Sequence, residues 1–205
     1  EKLEIIANAL VTDVVNILKR NRSGYFYLPD DSIGEGIYIF ENLNTLTLEL
    51  DIAHDTALPE PEVDGEYYDG EGTIKVEVKL NPNQPIDEIL ELVVPELHEL
   101  VTHEVVHFLQ EESGLEFPKK IPKKPFKYYS QPHELEAQIR GFEAKSKATK
   151  TEIRKVMKDW FKKYPHKHNL TDKEVNKMIK KLLENYTQTQ VVNKLISQWK
   201  NYHLV

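Results

Sequence analysis

Apolar residues recur with two different periods along this chain, and the changes of period mark its elements. Within residues 3–20 they stand at Leu3, Ile6, Leu10, Val14, Val15 and Leu18, the spacing of one helical face, and Asn21-Arg22-Ser23-Gly24 ends the pattern. Runs with strand character follow at Tyr25–Leu28, Gly36–Phe40 and Leu46–Ile52, where Leu46, Leu48 and Leu50 alternate with Thr47 and Glu49. Residues 54–72 are polar and rich in Pro, Gly and acid, which predicts a long loop. Thr73–Leu80 alternates cleanly, with Ile74, Val76, Val78 and Leu80 on one face and Lys75, Glu77 and Lys79 on the other. Lysines on the solvent face predict an edge strand.

After a break at Asn81–Pro85 a helical pattern begins at Ile86. Pro95 either kinks it or opens a new helix, and the pattern runs through Glu112 to an end near Gly114. Residues 117–127 form a basic, Pro-rich connector. Ser130 or Gln131 then caps a helix with Pro132 in its first turn, running to about Lys147. The remainder reads as helix, with capping-box sequences beginning at Thr149 and Thr171 and a separation at Tyr164–Asn169. The expected class is α+β: an N-terminal helix, a small antiparallel sheet with an edge strand, two long helices, and a helical C-terminal extension. The expected division is one domain over 1–148 and a basic helical extension over 149–205 packed on it.

Composition narrows the chemistry. There is no cysteine among the 205 residues, so disulfides, thiolate metal sites and cysteine nucleophiles are excluded, leaving His and carboxylates as metal ligands. No apolar run approaches the ~18 residues of a membrane span. Glu1-Lys2-Leu3-Glu4 lacks the basic-then-apolar pattern of a signal peptide, so a cytoplasmic protein without membrane contact is expected. Charge is unevenly spread: residues 1–114 carry 25 acidic and 6 basic side chains, residues 145–205 carry 5 and 15. The acidic part predicts a preference for basic or neutral partners. The basic part predicts amphipathic helices with a solvated lysine face. Nucleic acid is not an expected partner, because no nucleic-acid motif is present and the net charge is −7.

The most informative segment is His103-Glu104-Val105-Val106-His107, an HExxH motif in an apolar helical run. Positions i and i+4 lie about 40° apart around a helix. His103 and His107 therefore share a face and can reach one tetrahedral zinc, while Glu104 beside them is placed to take a proton from metal-bound water. With 8 His and 24 Glu in the chain, about 0.04 accidental matches are expected, so the surroundings must supply part of the case. A catalytic zinc site needs a third protein ligand. The segment Pro132-His133-Glu134-Leu135-Glu136-Ala137-Gln138 offers His133, Glu134 and Glu136.

HEVVH followed by a helix carrying E-x-x-A resembles the gluzincin metallopeptidases, and among them is most similar to small ImmA/IrrE-like and phage-encoded members. The resemblance spans roughly residues 70–145. It implies a zinc-dependent peptidase in which His103, His107 and Glu134 ligate zinc and Glu104 is the general base acting on a peptide or protein substrate. Glu136 and His133 remain alternative third ligands. The family pattern often continues with Asp after the Ala, where this chain has Gln138, a weaker partner for a ligand imidazole. The resemblance also implies that an edge strand aligns the substrate, which points to Thr73, Ile74, Lys75, Val76 and Glu77.

Plainer readings stand beside these. Glu99 and Glu111 flank the motif by a turn on its own face; either is a candidate orienter of an imidazole, and a solvated carboxylate is the simpler account. His98 lies largely opposite the motif. Tyr128 and Tyr129 are candidate donors to a developing oxyanion, or packing residues. His166 and His168 read as surface, Trp160 and Trp199 as core. The alternative function is a catalytically silent metal-binding domain, or one that acts by protein or nucleic-acid contact.

Overall fold

The computed structural model describes residues 2–21, 23–28, 46–118, 124–163 and 170–202. The strand read at Gly36–Phe40, the Tyr164–Asn169 separation with His166 and His168, and the side chain of Trp199 lie outside the described residues. Helix α1 (Lys2–Arg20) buries Ile6, Leu10, Val14 and Leu18 of the expected stripe, half-buries Leu3 and Val15, and buries Ile17 as well. Four strands follow: β1 (Gly24–Leu28), β2 (Thr47–His54), β3 (Glu62–Tyr68) and β4 (Thr73–Leu80). Then come α2 (Ile86–Glu112), the short α3 (Pro125–Tyr129), α4 (Pro132–Thr149), α5 (Ile153–Lys163) and α6 (Asp172–Tyr202). The class is α+β. Among the described residues no helix is long and apolar enough to cross a membrane.

The sheet differs from the expected antiparallel one in two ways. Its order is β1-β2-β4-β3, with β2 and β4 parallel and the outer pairs antiparallel, so the sheet is mixed. Part of the expected loop at 54–72 is in fact β3, and β3 covers β4. Thr73–Leu80 is therefore an interior strand with both main-chain edges paired, and among the described residues the outer strands are β1 and β3 (Glu62–Tyr68). The lysines of β4 mark a solvated face rather than an edge: Lys75 pairs with Glu49 of β2, and Lys79 with Glu77. Strand β3 escapes recognition because its central inward position is Gly65. Built there, a Cβ would meet the Lys75 carbonyl oxygen at 2.3 Å and Leu100 at 3.0 Å, so the close crossing of sheet and helix removes the apolar residue that alternation requires.

Leu48, Leu50, Ile52, Ile74, Val76, Val78 and Leu80 form the inner face of the sheet and pack with α1 and one side of α2. Pro95 lies inside α2, which runs through it without ending. One side of α2 (Val93, Leu97, Val101, Val105, Phe108) joins that core; its other side meets α4, whose Gly141 allows the approach. A second core forms where Leu135, Ile139 and Phe142 of α4 meet Val156, Met157 and Phe161 of α5 and Met178, Ile179 and Leu182 of α6. The basic extension thus shares a core with α4. The Thr171 capping box is present, with Thr171 and Glu174 exchanging hydrogen bonds. Thr149 instead closes α4, followed by Lys150 in the left-handed region at φ 53°.

Candidate metal centre

His103 and His107 sit one turn apart on the side of α2 that faces α4, and α4 brings Glu134 to them from its first turn. The two Nε2 atoms are 3.1 Å apart, and the Glu134 oxygens lie 3.7 Å from His103 Nε2 and 3.6 Å from His107 Nε2. Two ligand atoms on a tetrahedral ion with bonds near 2.0–2.1 Å stand roughly 3.3–3.4 Å apart. The Nε2 pair stands close to that value, and the carboxylate turns Oε2 to His103 and Oε1 to His107 at slightly longer range, so the three residues could hold a metal ion. Among the described residues this is the group of His and acidic side chains whose donors converge closely enough to hold one. All three side chains are largely buried, which lowers the imidazole pKa values by desolvation: His107 is pushed down to about 4 and His103 well below its ordinary value. Both rings are accordingly neutral, the form that ligates.

His107 is oriented by a residue that the pattern reading passed over. Its Nδ1–H donates to Gln110 Oε1 at 3.0 Å, which leaves the Nε2 lone pair facing the site. Gln110 Nε2 in turn donates to the His133 carbonyl and to Glu136 Oε2, tying α2 to the start of α4. Gln110 follows His107 by three residues, so the signal was available as a polar residue on the motif's own face. The two flanking carboxylates have other partners: Glu99 accepts from Lys145, and Glu111 accepts from the Tyr67 hydroxyl and the Gly70 amide. Gln138 is buried at the cleft wall. Gln110→Ala is expected to weaken metal binding about 10- to 100-fold, read by competition with a chelating dye. Unchanged affinity would mean that His107 needs no such partner.

The alternatives for the third ligand separate geometrically. Glu136 points to Gln110. His133 Nε2 lies 3.7 Å from Glu134 Oε1, and its ring packs edge-on against Phe117, outside the converging trio. Glu134 also accepts a hydrogen bond from Tyr128, while its burial pushes its carboxyl up to about 7. Tyr129 packs edge-on against Tyr128 and Trp160. Both tyrosines line the cleft; desolvation, then the Glu134 charge, raises both phenol pKa values, so they stay protonated.

Glu104 is buried, 4.0 Å from His103 Nε2, and accepts the Tyr67 main-chain N–H. Burial first, then the Glu134 charge, holds its carboxyl well above the usual range. The site opens on a cleft of about 460 Å³. Its opposite wall is β3, not the Thr73–Glu77 segment of β4, which is enclosed between β2 and β3 and has no free edge to offer a substrate. In an antiparallel edge strand alternate residues turn N–H and C=O outward. Tyr67 N–H reaches Glu104 and Gly65 N–H reaches the Asp64 side chain, so the odd-numbered residues of β3 face the cleft with their main chain.

Gly141 is the other residue that pattern reading missed. A Cβ on it would sit 2.8 Å from the Glu99 carbonyl oxygen and 3.4 Å from His103 Cβ. Gly141→Ala is expected to force α2 and α4 apart, lowering stability by about 1–3 kcal/mol and weakening metal binding. Thermal unfolding with and without metal reads both effects, and an unshifted melt would show that the crossing has slack.

Scans against family models, curated proteins and solved structures give no match to this chain.

Proposed function

We propose that the chain is a zinc-dependent metallopeptidase. The observation that carries this reading is the convergence of His103, His107 and Glu134, beside a buried Glu104, on a cleft whose far wall is a strand edge left unpaired among the described residues. Two imidazoles and a carboxylate form a donor set suited to zinc. A zinc ion held there would polarise the scissile carbonyl and make water nucleophilic near neutral pH. Glu104 takes the proton of the attacking water and returns it to the leaving nitrogen. An extended substrate pairs with the outward main chain of Val63 and with the carbonyl of Gly65, whose N–H is held by Asp64, by β-augmentation. Asp64, Glu66 and Asp69 line that wall, which favours basic or neutral peptides, most of all at low salt.

The test is metal content beside hydrolysis. The purified protein is expected to hold about one zinc per chain. It should cleave an unfolded, lysine-rich protein, lose that activity with a chelator, and regain it with zinc. Bound zinc without hydrolysis over a panel of unfolded proteins would leave a metal-binding domain. Failure to bind zinc would remove the reading altogether.

A further inference from the structure

We infer that Glu111 is a positioning residue that fixes the docking edge of β3 above the metal helix, an inference that rests on the peptidase reading of the cleft. Glu111 lies four residues after His107 in α2. Its two carboxylate oxygens are used separately. One accepts the Tyr67 hydroxyl near the end of β3, and the other accepts the Gly70 amide at 2.9 Å in the turn between β3 and β4. That turn carries Gly70 at φ 79° and Gly72 at φ 63°, a left-handed geometry with little stiffness of its own. Strand β3 is paired with β4 from Glu62 to Tyr68, so an anchor on this turn ties the end of that strand pair to the helix.

The same strand end is held at two further points along α2. Tyr67 N–H donates to Glu104, and the Tyr67 ring packs edge-on against Phe108 with centroids 6.4 Å apart. Glu104, Phe108 and Glu111 are spaced i, i+4 and i+7, one stripe of the helix next to the one that carries the imidazoles. Tyr67 thus meets the metal helix through its amide, its ring and its hydroxyl. Of these contacts, the Glu111 carboxylate alone also reaches past the strand into the turn. Its removal leaves the metal ligands untouched and loosens the surface along which an extended peptide would lie.

The experiment compares the zinc-loaded full chain with its Glu111→Gln, Glu111→Ala and Tyr67→Phe variants. Three quantities are read: zinc affinity, amide hydrogen exchange across Glu62–Tyr68, and KM and kcat on one unfolded basic substrate. For Glu111→Ala, zinc affinity should stay within about twofold. Exchange in β3 and KM should each rise on the order of 10-fold, the scale of losing hydrogen bonds to a charged group, with kcat little changed. Glu111→Gln should fall between, because its single carbonyl oxygen satisfies only one of the two donors. Adding Tyr67→Phe to Glu111→Ala should have little further effect, since both break one link. Unaltered β3 exchange in Glu111→Ala, or a KM increase that merely follows lost zinc, would overturn the assignment. If the wild type hydrolyses nothing, the peptidase reading fails. Faster β3 exchange in Glu111→Ala would still support the strut, and unaltered exchange would overturn it.

Discussion

Glu104→Gln is expected to lower peptide hydrolysis about 10²- to 10⁴-fold while the protein keeps its metal. Glu104 is buried and stands 4.0 Å from His103 Nε2, near the ligand trio without belonging to it. The amide is nearly isosteric, and its oxygen can still accept the Tyr67 N–H that the carboxylate accepts now, so fold and strand position should survive. What disappears is a group able to take a proton and return it. Burial holds the Glu104 carboxyl well above the usual range, and the Glu134 charge adds to this; a bound dication would act in the opposite direction. Zinc content and initial rates on the same preparation decide the matter. Equal rates in wild type and variant would sink the proposed mechanism whatever the metal content.

The loss of metal itself is expected from Glu134→Ala and from His107→Ala, each by at least about 10²-fold in affinity, because two remaining ligands do not close a stable zinc site. Glu136→Ala should act more weakly, through Gln110, and His133→Ala more weakly still. The ordering follows from the distances: the Glu134 oxygens stand 3.6 and 3.7 Å from the two imidazole nitrogens, whereas Glu136 is engaged by an amide. Calorimetric titration of the stripped proteins with zinc would measure it. Tighter binding by the Glu134 variant than by the Glu136 variant would reverse the ligand assignment.

The parts legible in the sequence were those that depend on one element's own period. The apolar stripe of α1, the alternation of β4 and the one-turn spacing of His103 and His107 are local, and the structure reproduces each. The parts that were not legible depend on two elements meeting. Strand β3 read as loop because Gly65 yields its side chain to the neighbouring backbone and to Leu100. Strand β4 read as an edge because lysines on a solvated face look alike at an edge and in an interior strand. Gly141 carried no signal, since its role exists only where α4 crosses α2. Gln110 lay within reach, on the motif's face. Glu99 and Glu111 stand on that face too, but their partners come from α4 and from the β3 end of the sheet.

Helix α4 presents Glu134 to the candidate metal centre, and the next residue, Leu135, to the core it shares with α5 and α6. A rigid helix that serves both makes the two equilibria reciprocal: whatever free energy metal binding gains from an ordered C-terminal bundle, metal binding must return to that bundle as resistance to unfolding. The lysine-bearing helices are therefore not neutral cargo. A partner that grips them tightly would raise the affinity of the candidate site for a metal, and one that peels them away would lower it.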